Sequence, residues 1–395
     1  MKTTKNDRLF ELTVMIIAVI LSVIGIISVY SAGSYQVTDT TAPVNYMLRQ
    51  LLFFIMSLVV CVITLKLKYK FFVDYKLIKY VVTFMLVLLV ILFALPATKG
   101  AKAWINLGFI AIQPAEFAKI VLIWVTSLYF SKTRYLPNLE ASEQDNAIQF
   151  LWAKHHQEAF PFLTYFMILL LVMLQPDTGG AMIMFLIITL MWLASGLFNL
   201  KTALKMLGIG VGSLITLAVL AILILGVDDY RSVRLLSFIN PFAPANLDKT
   251  YQIRHSFYAL ANGGLFGVGI GNSVQKTGYL PENRTDFILS IIGEELGFFG
   301  VMLVIGLLMT LVFLIIRRSF MLRDTFNRFM LLGIALLFMI QTIFNVAGIT
   351  SLLPLTGVTL PFISYGGSSM LSSFILIGLV IKFSIVDRQM YPPNN

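Results

Sequence analysis

Val301-Met-Leu-Val-Ile-Gly-Leu-Leu-Met-Thr-Leu-Val-Phe-Leu-Ile-Ile316 runs without a charged residue and stops on Arg317-Arg318. It is the heart of an apolar stretch from about 288 to 316, and some 20 such residues wound as a helix cross the roughly 30 Å of bilayer hydrocarbon. Working outward from it, nine more stretches of the same kind lie at about 10–31, 47–65, 80–96, 116–131, 159–175, 180–197, 206–227, 329–350 and 368–387. The whole chain of 395 residues is 58% hydrophobic and 12% charged, about half the charged share of a soluble domain. The composition excludes an ordinary water-soluble enzyme. It predicts an all-α polytopic membrane protein with ten transmembrane helices, forming one membrane domain over 1–395.

Charge supports that organisation. Nineteen of the 29 Lys and Arg fall at the N-terminus and in alternate segments, whereas the opposite short segments hold only Arg49, Lys99 and Lys102. Basic residues stay on the cytoplasmic side, so both termini are expected there, in a plasma membrane. The net charge of +10 is thus accounted for by insertion, and no nucleic acid partner is expected. A single cysteine, Cys61, excludes a disulfide framework, and three scattered histidines exclude a zinc site. The first stretch follows the basic Met1–Arg8, but its apolar length exceeds the roughly 7 to 15 residues of a signal peptide core.

One large extracytoplasmic loop, about 228–287, lies between helices 7 and 8. Loops of that length are usually working parts. It mixes apolar stretches with six basic residues, Arg231, Arg234, Lys249, Arg254, Lys276 and Arg284, a composition that predicts short helices lying at the membrane surface. It ends in Tyr279-Leu-Pro-Glu-Asn-Arg-Thr-Asp286-Phe-Ile, followed by Glu294-Glu295-Leu-Gly297. A carboxylate at the mouth of a helix beside a basic loop suits a general base or a divalent cation ligand. Helix capping by Thr285 or Asp286 explains the same residues. Glu294 and Glu295 lie roughly 12 Å further along a helix, beyond the roughly 5 to 9.5 Å of a glycosidase pair.

Three further clusters are polar in or beside apolar runs. Gln113-Pro-Ala-Glu116-Phe-Ala-Lys119 puts Glu116 and Lys119 on one helix face, where they can pair or where Lys119 can snorkel outward. Gln175-Pro-Asp177-Thr-Gly-Gly180 reads as a short turn. Asn345 through Ser369 carries two prolines, several glycines and hydroxyls, and is either a re-entrant segment or a tight hairpin. The glycines from Gly263 to Gly271 lack the βαβ setting of a dinucleotide loop and read as a loop with close backbone contacts.

These stretches, together with Ala101-Lys-Ala-Trp104-Ile, resemble the SEDS family (shape, elongation, division and sporulation), whose members include FtsW, RodA and SpoVE. The likeness extends along nearly all ten helices. Ser273-Val-Gln275-Lys276 and Leu353-Leu-Pro-Leu-Thr-Gly-Val-Thr-Leu-Pro361 are more similar to the FtsW branch. The chain departs from the family at Asn283-Arg284, where a small residue and a histidine are more usual.

The resemblance implies a peptidoglycan glycosyltransferase that polymerises lipid II, an undecaprenyl-diphosphate-linked disaccharide-peptide, with Asp286 as the essential acid. It implies a class B penicillin-binding protein, the transpeptidase, as partner, alongside other divisome membrane proteins. On that footing Asp286 is expected to take the proton of the acceptor hydroxyl. A carboxylate of pKa about 4 is a weak base, so partial burial or a divalent cation, Mg²⁺ or Mn²⁺, held in part by Asp286, is expected to assist it. Lys119, Arg231, Arg254, Lys276 and Arg284 are the candidates for the diphosphate, and Glu116, Trp104 and Ser364 complete the expected substrate-binding set. The competing expectations are a flippase of the lipid-linked precursor, the elongation polymerase, and a scaffold that only recruits the transpeptidase.

Overall fold

The computed structural model describes residues 5–34, 42–96, 102–106, 108, 111–133, 160–196, 201–202, 204–205, 208, 212, 241–242 and 250–392. The elements, in order, are α1 (Lys5–Gly33), α2 (Ala42–Lys66), α3 (Tyr69–Val73) and α4 (Tyr75–Ile91). A two-stranded antiparallel hairpin follows, β1 (Ile105–Asn106) on β2 (Ala111–Ile112), then α5 (Pro114–Thr133), α6 (Phe160–Leu174) and α7 (Thr178–Ala194). The rest are α8 (Tyr251–Gly263), α9 (Ile288–Met321), α10 (Thr325–Ile349) and α11 (Gly367–Met390). Each expected apolar stretch coincides with a helix except 206–227, which lies almost wholly outside the described residues, as does Arg231. Six of the described helices, α1, α2, α4 with its short 3₁₀ extension, α9, α10 and α11, are long and apolar enough to cross a membrane.

The chain divides into two compact units. The first takes in Met1–Thr64, Ala221–Leu314 and Phe338–Gly378; the second takes in Leu65–Leu220, Ile315–Leu337 and Leu379–Asn395.

The faces of these helices are apolar on both sides. On α1, Val14, Ala18, Leu21 and Val29 are buried, while Leu9, Leu12, Ile16, Ile20, Val23 and Ile27 are exposed. Water would expel that second stripe; lipid accepts it. Several hydroxyls along the helices satisfy themselves locally, Ser22 on the Ala18 carbonyl at 2.8 Å, Ser57 on Phe53 at 2.6 Å and Thr342 on Phe338 at 2.8 Å, which removes the cost of leaving those donors unmade in an apolar layer.

α9 is broken at Gly297, whose φ of 70° and ψ of −167° lie outside helical space and suit a residue without Cβ. An unbroken helix would bond the Phe298 and Phe299 amides to the carbonyls of Glu294 and Glu295. Here the segment after α8 inserts itself instead. Val268 N and Gly269 N donate to Glu294 O and Glu295 O, both at 3.0 Å, and Phe298 N and Phe299 N donate to Gly264 O at 2.9 Å and Leu265 O at 3.3 Å. Both halves of each severed bond are therefore satisfied. The approach demands glycine at 263 as well, where a Cβ would sit on the Gly293 carbonyl oxygen. Gly263→Val is expected to lower the thermal unfolding midpoint and the yield of folded protein, overpacking of this kind costing about 1–3 kcal/mol. An unchanged midpoint would contradict the insertion.

Candidate functional site

The segment carrying Asp286 hangs between two buried anchors, Leu280 and Phe287, at 1% and 0% exposure. Between them Glu282 turns the chain at φ 54°, and the Thr285 amide donates to Glu282 O at 3.1 Å. The Thr285 hydroxyl donates to the Glu282 carboxylate at 2.9 Å, so Thr285 does not cap α9 as capping logic predicts. Asp286 itself is half-buried.

Three consecutive carbonyls of this segment are caught from one side. Tyr365 N donates to Arg284 O at 2.8 Å, the Ser364 hydroxyl to Thr285 O at 2.7 Å, and Asn345 Nδ2 to Asp286 O at 2.9 Å. Asn345 Nδ2 also donates to Val358 O at 2.8 Å. Three hydrogen bonds at about 1 kcal/mol each roughly offset freezing three residues at about 1–2 kcal/mol each. The remainder comes from the two anchors, worth about 1.5–3 kcal/mol apiece. The catching residues are themselves held. Ser364 Oγ accepts from Leu360 N at 2.8 Å, and Gln50 Nε2 donates to Ser364 O at 3.2 Å. The stretch 350–366 between α10 and α11 is irregular; residues 360–364 are buried, while Leu352 and Gly357 remain exposed.

Two cations gather at the same place. The Arg284 guanidinium lies 3.8 Å above the Tyr46 ring, and Tyr46 meets Tyr365 edge to face at 5.6 Å. Arg49 hydrogen-bonds the Tyr365 phenol, whose pKa burial raises while Arg49 opposes the rise. Arg284 Nη1 is buried without a hydrogen-bond partner. Arg49 is a residue that sequence reading uses only for topology.

Glu294 and Glu295, adjacent on α9, face different partners. The Glu294 carboxylate, fully buried, accepts from the Ser273 hydroxyl, Val274 N at 3.0 Å, Gln275 N at 3.1 Å and Asn262 Nδ2 at 2.8 Å. Glu295 accepts from Lys276 Nζ at 2.9 Å and from the Ser31 hydroxyl at 2.6 Å, and Lys276 Nζ also donates to Ser31 Oγ at 3.0 Å. The expected place of Lys276 is at a diphosphate; its side chain is instead 3% exposed and its ammonium is matched inside the protein. Ser364 likewise spends its hydroxyl on the Thr285 carbonyl, and so positions the Asp286 segment from behind. Two acids side by side in an otherwise apolar helix are the signal for such a buried pin, because unpaired charge there would be untenable.

The second unit holds a polar cluster of its own. Lys119 Nζ and Glu116 Oε1 pair at 2.7 Å, both buried, so Lys119 does not snorkel. Gln113 Nε2 donates to Asp177 Oδ2 at 3.2 Å, and Asp177 caps α7 by accepting from Gly180 N at 2.8 Å. Burial raises the Asp177 pKa, while the Gly180 amide and the Lys119 charge act against it. Two motifs that are 64 residues apart thus form one cluster. Asp177→Ala is expected to cost about 1 kcal/mol, the worth of a cap, and Asp177→Asn much less, because the amide oxygen still accepts and burial favours a neutral group. Equal thermal midpoints for the two variants would refute the capping role. Trp104 sits half-buried beside the hairpin that leads into α5, and Arg254 Nε donates to Thr250 Oγ1 at 3.2 Å.

Among the described residues no group of three His, Cys, Asp or Glu is placed to hold a metal ion.

Similarity to known proteins shows the family and the fold. The model of the cell cycle protein family that groups FtsW, RodA and SpoVE matches residues 11–389. The probable peptidoglycan glycosyltransferase FtsW of Trichlorobacter lovleyi is 36% identical over 379 residues, 95% of this chain and 93% of that one. The protein of the same description from Bacillus subtilis is 33% identical over 392 residues, 96% and 92%. A chain of a peptidoglycan synthase complex has a similar fold, with a TM-score of 0.71 and 22% identity over 96% of this chain and 98% of its own. The rod shape determining protein RodA of Thermus thermophilus has a TM-score of 0.63 and 21% identity over 96% and 97%. The chain is a multi-pass membrane protein of the FtsW, RodA and SpoVE family.

Proposed function

We propose that this protein is a peptidoglycan glycosyltransferase that polymerises lipid II into β-1,4-linked glycan at the outer face of the cytoplasmic membrane, in septal wall synthesis. The observation that carries the reading is the half-buried Asp286 on a segment locked through three successive carbonyls, with the Arg284 and Arg49 guanidiniums gathered at Tyr46 and Tyr365. A base and cations on rigid backbone are what this transfer requires.

Asp286 accepts the proton of the C4 hydroxyl of the acceptor N-acetylglucosamine as that oxygen attacks the anomeric carbon of the donor. The new C–O bond forms on one face while the bond to the diphosphate oxygen breaks on the other, so the α-linked diphosphate becomes a β-1,4 linkage. The diphosphate leaves with the electron pair, and the proton passes from Asp286 to water. Arg284 and Arg49 neutralise the departing charge in bidentate fashion. Lys119, already paired with Glu116, is kept as a donor-binding candidate. A divalent cation, Mg²⁺ or Mn²⁺, would be held by the Asp286 carboxylate together with the phosphates and would supply further neutralisation of the diphosphate charge. The proposed topology keeps ten transmembrane helices, both termini in the cytoplasm and a class B penicillin-binding protein as crosslinking partner, among other division proteins.

The test is lipid II polymerisation by detergent-solubilised protein, with and without the cognate transpeptidase. Polymer is the expected product. With no second compartment present, a flippase would consume nothing, and its silence in both arms would end the polymerase reading.

A further inference from the structure

α8 has two faces of different character. Ile253, Ser256, Ala259 and Gly263 are buried, and Ser256 is tied to Ser290 and to Ile349 O, both at 2.8 Å. The opposite face repeats at helical spacing as Tyr251, His255, Tyr258 and Asn262. His255 lies at its centre, 4.2 Å from the Tyr251 ring and 5.4 Å from the Tyr258 ring. Tyr279, from the segment that leads to Asp286, stacks on the same imidazole at 5.7 Å and 12°. Tyr258 and Tyr279 remain 44% and 50% exposed. Gln275 Oε1 meets His255 Nδ1 at 2.6 Å, which leaves the amide protons of Gln275 for an acceptor elsewhere.

We propose that this aromatic face binds β-1,4-linked amino-sugar rings and is the track along which the growing strand leaves Asp286. The inference rests on the polymerase reading above. Aromatic faces attract the C–H faces of a pyranose while neighbouring amides and phenols take its hydroxyl and acetamido groups. This face offers both kinds of group. Tyr279 stands seven residues from Asp286, at most about 25 Å of extended chain, within reach of a short oligosaccharide. Rings that merely anchored the protein at the headgroup layer would have no need to be stacked on one imidazole or hydrogen-bonded through it to Gln275.

The test uses the full chain in nanodiscs. Saturation-transfer NMR with chitotetraose, a water-soluble β-1,4 tetramer of N-acetylglucosamine, reads binding, and gel separation of the lipid II product reads strand length. Tyr279→Ala and Tyr258→Ala are expected to reduce saturation transfer and mean strand length by at least about threefold, the loss of one stacked ring. Tyr279→Phe, which keeps the ring but loses the phenol, is expected to recover most of the transfer and length lost in Tyr279→Ala, and Phe266→Ala, an exposed aromatic outside this face, is expected to match wild type in both. Unchanged transfer and length in Tyr279→Ala, or equal shortening in Phe266→Ala, overturns the track. Wild type that binds chitotetraose but makes no polymer leaves the sugar face standing and removes the polymerase reading instead.

Discussion

Asp286→Asn is expected to reduce lipid II polymerisation by at least about a hundredfold, the ordinary contribution of a general base, with normal abundance and an unchanged thermal midpoint. The carboxamide keeps the shape of the side chain but cannot accept the hydroxyl proton. The near-isosteric amide should disturb the fold little, because the segment is also held through main-chain carbonyls by Tyr365 N, Ser364 and Asn345. Those three contacts are indifferent to what residue 286 carries. Asp286→Glu should recover part of the rate, since it restores the base and misplaces it by one methylene. Purified Asp286→Asn protein that lengthens glycan at the wild-type rate would show that another group removes the proton.

Lys276→Met carries the second large effect, and it is one of stability. Removing the ammonium leaves the Glu295 carboxylate buried opposite Ser31 with no cation, and breaking one partner of a buried pair costs about 3–5 kcal/mol. The single variant should express poorly and unfold at a markedly lower temperature. Replacing both partners, Lys276→Met with Glu295→Leu, removes the stranded charge and should recover most of the midpoint and the polymerase activity, because apolar replacement of a whole buried pair is often neutral. A stable double variant without activity would assign Lys276 to the substrate after all. Persistent activity in both would fix its role as a pin between the 273–276 segment and α9.

Much of the architecture is legible without coordinates because lipid imposes a simple rule. A helix must be apolar for its whole span, and the stretches at 10–31, 47–65 and 288–316 need no partner to be recognised. The site is legible only in part. Asp286 and Arg284 stand out as charges in a long loop, but nothing in Asn345 or Ser364 says that they will meet the carbonyls of residues 286 and 285, respectively 59 and 79 positions away. Gln113 and Asp177 read as two ordinary turns until their side chains are seen 3.2 Å apart. Glu294 and Glu295 illustrate the limit well. Their position in an apolar helix announces that each needs a partner, yet whether that partner is a ligand, a cation or a ring of backbone amides depends on which loop folds back onto them.

By itself, then, the order of residues determined a helical membrane protein, the stretches apolar enough to lie in lipid, and one acidic residue worth testing. Hydropathy and charge are local properties, and a bilayer acts on them segment by segment. Only the tertiary structure decided which acids are pins and which is presented, because that depends on hydrogen bonds between residues distant in the chain. It also decided that α9 breaks at Gly297, where the loop behind α8 supplies the bonds that the helix gives up.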